Sequence, residues 1–225
     1  TPLRLPIFLT LVFKAFIGLL LTTLIVSPGS ADEITASSPL SDQQTACEAG
    51  GAESCYFLAE RYSSGKDVER NQKIAINFYD MACDGGYMKS CHRVGELYSY
   101  GHGVARNLKR TFDYWDKACN GGFARSCMMI GSVYSAAKTY DSKLIDVPET
   151  TFVLGYIEKA CDLGEMTGCA YLGAVYSEGK YVEKDFPKAI SYFQKVCDNG
   201  HIQVCTGLGM ELMKGLKLPR DEERG

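Results

Sequence analysis

The apolar residues of this chain fall in short helical stripes separated by polar breaks. Cys91, Val94, Gly95 and Tyr98 stand at i, i+3, i+4 and i+7, which is one face of a helix. Thr111, Phe112, Trp115 and Ala118 form a stripe of a second kind. Ala75, Ile76, Tyr79 and Ala82 repeat it, as do Ala189, Ile190, Phe193 and Val196. A glycine follows most stripes of the first kind by three residues, at Gly65, Gly101, Gly179 and Gly215. Glycine there can take the left-handed conformation that ends a helix. The pattern predicts pairs of helices joined by short turns.

The pairs recur. Cysteines stand at 47, 55, 83, 91, 119, 127, 161, 169, 197 and 205, always as C-x7-C, and the first cysteines of successive pairs are 36, 36, 42 and 36 residues apart. A glycine sits three after each first cysteine: Gly50, Gly86, Gly122, Gly164 and Gly200. Ala59, Gly95, Gly131, Gly173 and Gly209 sit four after each second cysteine, followed by Tyr62, Tyr98, Tyr134, Tyr176 and Leu212. One helical hairpin cannot bury its apolar stripe alone, whereas stacked neighbours can, so the fold expected is an all-α solenoid. Its periods are 46–81, 82–117, 118–159, 160–195 and an incomplete 196–225, and the chain is expected to continue beyond Gly225. The third period carries six extra residues within 136–150, and Ala137 replaces its turn glycine. A longer surface loop is the plain reading and a binding loop the sharper one.

The period also selects a cysteine pairing. The first cysteine of each pair closes one helix and the second opens the next, and a tight glycine turn can bring their Cα atoms within disulfide range. The bridges expected are Cys47–Cys55, Cys83–Cys91, Cys119–Cys127, Cys161–Cys169 and Cys197–Cys205. Each stabilises by about 2.5 kcal/mol as an upper figure from loop entropy. Zinc sites favour closer cysteines and clustered histidines, and here only His92, His102 and His201 occur. No metal and no cofactor is expected.

Ahead of the repeats, Ala15 to Val26 are apolar or weakly polar, with Arg4 and Lys14 before them and small residues up to Ala31 after them. Residues 1–31 read as a secretory signal cut after Ala31; the alternative, a membrane anchor, is interrupted by Lys14. Residues 32–45 are polar and serine-rich and read as a flexible linker. Ten cysteines in an exported chain imply an oxidising compartment, secreted or periplasmic. The formal charge of −3 argues against nucleic acid as a partner.

The columns A-C-x-x-G-x4-C-x-x-L-G-x-x-Y-x-x-G-x-x-V, clearest in Ala82 to Val104, resemble the Sel1-like repeat. The paired cysteines make the chain similar to the Helicobacter cysteine-rich protein family of secreted bacterial proteins. Ala59, Ala137 and Leu212 depart from the pattern. The resemblance implies a right-handed, tetratricopeptide-like superhelix with a concave inner face. It also implies two activities: a scaffold for proteins or extended peptides of host or cell-envelope origin, and β-lactam binding or hydrolysis, with a β-lactam or cell-wall-derived small molecule as ligand.

For a serine β-lactamase the chain offers Ser63-x-x-Lys66, Ser135-x-x-Lys138 and Ser177-x-x-Lys180. The repeat itself places these serines, always at the end of a helix where unpaired carbonyls gather, and an oxyanion needs N–H groups instead. S-D-N and K-T-G do not occur. No catalytic constellation is recognisable, and the scaffold reading is preferred. If the columns one and five after each second cysteine turn inward, the concave face is lined by Tyr56, Glu60, His92, Glu96, Met128 and Ser132.

Overall fold

The structure is a computed structural model that describes residues 34–139, 149–179 and 181–200, with Cys205 and Gly207. The stripes become helices: α1 Leu40–Glu48, α2 Ala52–Ser64, α3 Gln72–Asp84, α4 Met88–Tyr100, α5 Leu108–Asn120, α6 Ala124–Thr139, α7 Thr150–Asp162, α8 Met166–Glu178 and α9 Phe186–Asp198. The described residues contain no strand. Helices pack chiefly on their neighbours in sequence, the contact pattern of a solenoid. In each repeat the first helix is α2, α4, α6 or α8, and the second is α3, α5, α7 or α9. Among the described residues no helix is long and apolar enough to cross a membrane. The expected signal segment lies outside the described residues, and so does most of the third-repeat insertion.

Local chemistry sets the helix ends. Gly65, Gly101 and Gly179 close α2, α4 and α8 with φ of 80°, 75° and 69°. Ala137 occupies the corresponding place in α6, and that helix runs on to 16 residues where the others have 13. Three of the second helices, α3, α5 and α9, start on polar caps. The Asn71 side chain accepts from the Lys73 and Ile74 amides, Asn107 from Arg110, and Asp185 from Lys188. The amides of these three residues donate to the carbonyls of Tyr62, Tyr98 and Tyr176, which closes each turn in the same way.

Between repeats the five expected bridges are present, with Cα–Cα separations of 4.7 to 5.0 Å. All ten cysteines are paired. Four bridges join the second helix of one repeat to the first helix of the next: α1 to α2, α3 to α4, α5 to α6 and α7 to α8. The turn between them passes through Gly50, Gly86, Gly122 and Gly164 at φ of 91° to 94°. Space around these glycines is open, so the backbone angle selects the residue and not a close neighbour.

The small-residue column has the opposite cause. A Cβ on Gly95 would lie 2.3 Å from Trp115, one on Gly131 would lie 2.3 Å from Ile157, and one on Gly173 would lie 2.6 Å from Phe193. These glycines admit the large side chain of the following second helix. The tyrosine column adds stacked rings, Tyr62 on Phe78, Tyr98 on Tyr114 and Tyr176 on Tyr192, all within 16° of parallel. The third repeat breaks this register. Tyr134 stacks instead on Phe112 at 4.8 Å and meets Phe152 edge-on.

Two ladders tie successive second helices on their outer side. Tyr114 donates to Asp80, Tyr156 to Asp116 and Tyr192 to Glu158. Beside them Lys117 pairs with Asp84, Lys159 with Asn120 and Lys195 with Asp162, at 2.7 to 2.9 Å. In the sequence the partners of the first ladder stand 34 residues apart and those of the second 33, with six more across the third-repeat insertion.

One expectation needs correction. Residues 32–45 are not a plain linker, since α1 begins at Leu40 within them. Its buried anchor is polar: Gln43 is closed off from solvent and donates to the Thr35 carbonyl at 2.7 Å. Without an apolar stripe the sequence gives little sign of this helix, which takes the place of a second helix ahead of Cys47.

Candidate binding face

The first helices are buried around most of their circumference. What stays half-exposed is a stripe two before, two after and five after each second cysteine, the spacing of one helical face. It runs through Glu53, Phe57 and Glu60, then Lys89, Arg93 and Glu96, then Arg125, Met129 and Ser132, then Thr167, Tyr171 and Ala174.

Of the six residues expected to line a concave face, Glu60, Glu96 and Ser132 lie on this stripe, and Met128 is partly buried beside it. Tyr56 and His92 do not line it. They are 8% and 5% exposed, so the column next to the second cysteine belongs to the joints between repeats. Tyr56 packs against Tyr79 and Tyr87, ring centroids 5.7 and 5.0 Å away. His92 shares a 2.8 Å hydrogen bond, through Nδ1, with the hydroxyl of Ser126 in the next repeat, and its ring lies 5.0 Å from that of Phe123. Polar side chains buried by partners 34 residues away look exposed in a sequence.

A polar network connects the first two repeats under the stripe. Tyr79 donates to Glu60 at 2.7 Å and is also hydrogen-bonded with Arg93. Arg93 donates to Glu96 at 2.9 Å, and Nε2 of His92 faces Glu96 at 3.5 Å. The His92 contact, helped by Arg93 and opposed by burial, holds the Glu96 carboxyl down at about 2. Burial and Glu60 push the Tyr79 hydroxyl far up, so it stays protonated as a donor. Ser126, His92 and Glu96 are strung as an acid–base relay would be. Ser126, however, is fully buried, and a hydroxyl that no substrate reaches is a structural donor.

Farther along, Arg125 is the one charged residue of the stripe, and Met129, Tyr171 and Ala174 make it more apolar. Tyr171 donates to the Ser135 hydroxyl at 3.2 Å and, with Tyr134, Val153, Leu154 and Tyr181, lines a small hollow between α6, α7 and α8. The three expected S-x-x-K serines remain one per repeat. Ser63 accepts from Gln72 at 3.3 Å, Ser135 accepts from Tyr171, and Ser177 donates back to the Ala174 carbonyl at 2.9 Å. Lys66 is exposed, while Lys138 and Lys180 fall outside the described side chains. Among the described residues no group of three His, Cys, Asp or Glu is placed to hold a metal.

The repeats match one known pattern, the Sel1 repeat, at residues 52–87, 89–123, 167–201 and 202–225. The chain belongs to the Sel1 repeat family. Residues 124–166, which hold the long α6 and the insertion, fall between the matched copies of the Sel1 repeat. Comparison with curated protein sequences gives no match. Among solved structures the chain is similar to a protective antigen from uropathogenic Escherichia coli that displays an SLR fold, with 22% identity, 82% of this chain and 38% of that one covered, and a TM-score of 0.67. The chain thus spans well under half of that antigen. It is also similar to a Sel1 repeat protein from Oxalobacter formigenes, at 22% identity over 82% of this chain and 71% of that one, with a TM-score of 0.63. Cysteine rich protein B of Helicobacter pylori aligns at 23% identity over 61% of this chain and all of that one, with a TM-score of 0.44. The likeness to the antigen and to the Oxalobacter protein establishes the shared fold.

Proposed function

We propose that this Sel1 repeat protein works outside the cytoplasm, periplasmic or secreted, as a scaffold that binds a protein or an extended peptide along its first-helix stripe. The observation that carries the reading is the stripe: a row of exposed and half-exposed side chains at one register on the four first helices α2, α4, α6 and α8. Solenoids present such rows to extended partners. Covalent joints support it, because a row preset by bridges loses little conformational entropy on binding. Ten paired cysteines fit an oxidising compartment.

The row changes character along its length. Charged groups dominate the first two repeats and Met129 and Tyr171 the last two, which suits a segment with a polar end and an apolar end. The test is a photo-crosslinker placed at Met129, compared with one at Met81 on the outer side of α3. Crosslinks to one defined partner from position 129, lost on Tyr171→Ser, support the reading. Crosslinks from position 81 alone overturn it.

A further inference from the structure

A second surface lies where each first helix turns into its second. One register position there, the residue nine before each first cysteine, carries Ile74, Arg110, Phe152 and Lys188 in successive repeats. All four sit in the first turns of α3, α5, α7 and α9, at the same edge of the stack. Apolar and cationic side chains alternate along this row. Its cations lie on the tyrosine rings: Arg110 stands 5.2 Å over Tyr98 and Lys188 stands 4.3 Å over Tyr176, and both also donate to those hydroxyls. They are held at fixed places along the edge.

The same edge holds three of the five large apolar side chains left exposed among the described residues. Ile74 and Phe152 are 36% and 50% exposed. Tyr100, at the end of α4, is 62% exposed and stacks on His102. Cations gather around Tyr100. Arg106, Lys109 and Arg110 follow it in the turn and the start of α5, and the repeat before contributes Arg70 and Lys73. The two turns touch, because a Cβ on Gly103 would lie 2.5 Å from that of Gln72. Of the acids in this region, Asp67 is taken by the buried Arg61 and Asp113 by Lys109. Glu69, Glu178 and Glu183 stand at this edge too, and Asp80 lies near Arg110; Arg70, Lys73 and Arg106 are exposed.

From this we propose that the turn edge, centred on Tyr100, Arg106, Lys109 and Arg110, is a docking surface for an anionic lipid bilayer. A row of apolar and aromatic side chains between cations is the composition of a surface that rests in a membrane interface. Anionic headgroups attract each nearby Lys or Arg, and salt screens the attraction. The edge has the composition for this. It also leaves the first-helix stripe open.

The test uses the full oxidised chain with vesicles of phosphatidylglycerol and phosphatidylcholine, or of phosphatidylcholine alone. Hydroxyl-radical footprinting reads each exposed side chain separately, so binding by other parts of the chain does not confuse the result. With anionic vesicles at low salt, Tyr100, Phe152 and Ile74 become at least threefold less reactive, while Met81 and Leu163 on other faces keep their rates. The protection fades in high salt and is absent with neutral vesicles. Arg106→Glu with Lys109→Glu abolishes it at Tyr100, and Lys89→Glu on the stripe does not, which keeps this test apart from that of the scaffold. Equal protection by neutral vesicles, protection of Met81 and Leu163 alike, or no protection at Tyr100 overturns the proposal. So does protection by a soluble acidic protein in place of the vesicles.

Discussion

The joint between the second and third repeats and the joint between the third and fourth do the same job with different chemistry. Ahead of each joint, a glycine on the first helix admits a large side chain from the second helix of the same repeat, Trp115 on Gly95 and Ile157 on Gly131. The earlier joint is also polar: Trp115 donates to the His92 carbonyl at 3.2 Å, and His92 joins Ser126 across the boundary. The later joint is filled by Ile157, Leu172 and Val175. A hydrogen-bonded joint fixes one orientation and becomes costly when one partner is lost, whereas an apolar joint loses in proportion to the volume removed. The solenoid is therefore uniform in outline and uneven in how its parts resist change.

Substitutions can break that contrast, from the largest effect to the smallest. Trp115→Ala is expected to cost about 3–5 kcal/mol and Ile157→Ala about 2–5 kcal/mol, read from urea unfolding midpoints. The polar joint should sit at the top of its range, because the His92 carbonyl loses a donor as well. Replacing Cys119 and Cys127 together, or Cys161 and Cys169 together, by Ala should cost about 2–3 kcal/mol each. Equal losses would show that the staples act alike whatever the joint is made of. Unequal ones would tie them to it.

Acid sharpens the comparison next. Glu96 has its pKa held at about 2 against an ordinary 4.5, so its folded form is favoured when ionised. That stability is present above about pH 4.5 and is lost as the pH falls toward 2. Asp80 shifts the other way: burial raises its pKa and outweighs the Tyr114 hydrogen bond, so its charge disfavours the fold and protonation relieves it. Glu96→Gln should flatten the loss of stability between pH 5 and pH 3, roughly, with little change at neutral pH beyond the lost contacts. The smallest effect is expected on the outer ladder. Lys195→Ala removes a half-exposed ion pair and should change stability by about 0–1 kcal/mol, shrinking further in high salt.

Much of this architecture is legible in residue columns. Period, helix pairing and bridges follow from where cysteine and glycine recur, because a turn that needs a positive φ restricts its residue strongly. The outer ladders went unread: Tyr114 and Asp80, Tyr156 and Asp116, and Tyr192 and Glu158 stand 34, 40 and 34 residues apart, a regularity that shows only once the third-repeat insertion is allowed for. The binding face was harder to read. Columns one and two after a cysteine differ by only about 100° of helix rotation, so assigning Tyr56 and His92 to the open face was a small angular error with a large consequence. Their burial depends on Tyr87, Ser126 and Phe123, in contacts that the period alone does not express. The start of α1 was hidden for another reason, since Gln43 is held by a hydrogen bond where other second helices carry an aromatic or isoleucine.

The central claim is that neighbouring repeats are locked by nearest-neighbour bridges, which preset the face between them. Proteolysis of the unreduced, alkylated protein followed by mass spectrometry of the linked peptides tests it directly. The account predicts the five pairs Cys47–Cys55, Cys83–Cys91, Cys119–Cys127, Cys161–Cys169 and Cys197–Cys205 and no alkylated thiol. Bridges crossing from one turn to another, or free thiols in a fully helical protein, would contradict it.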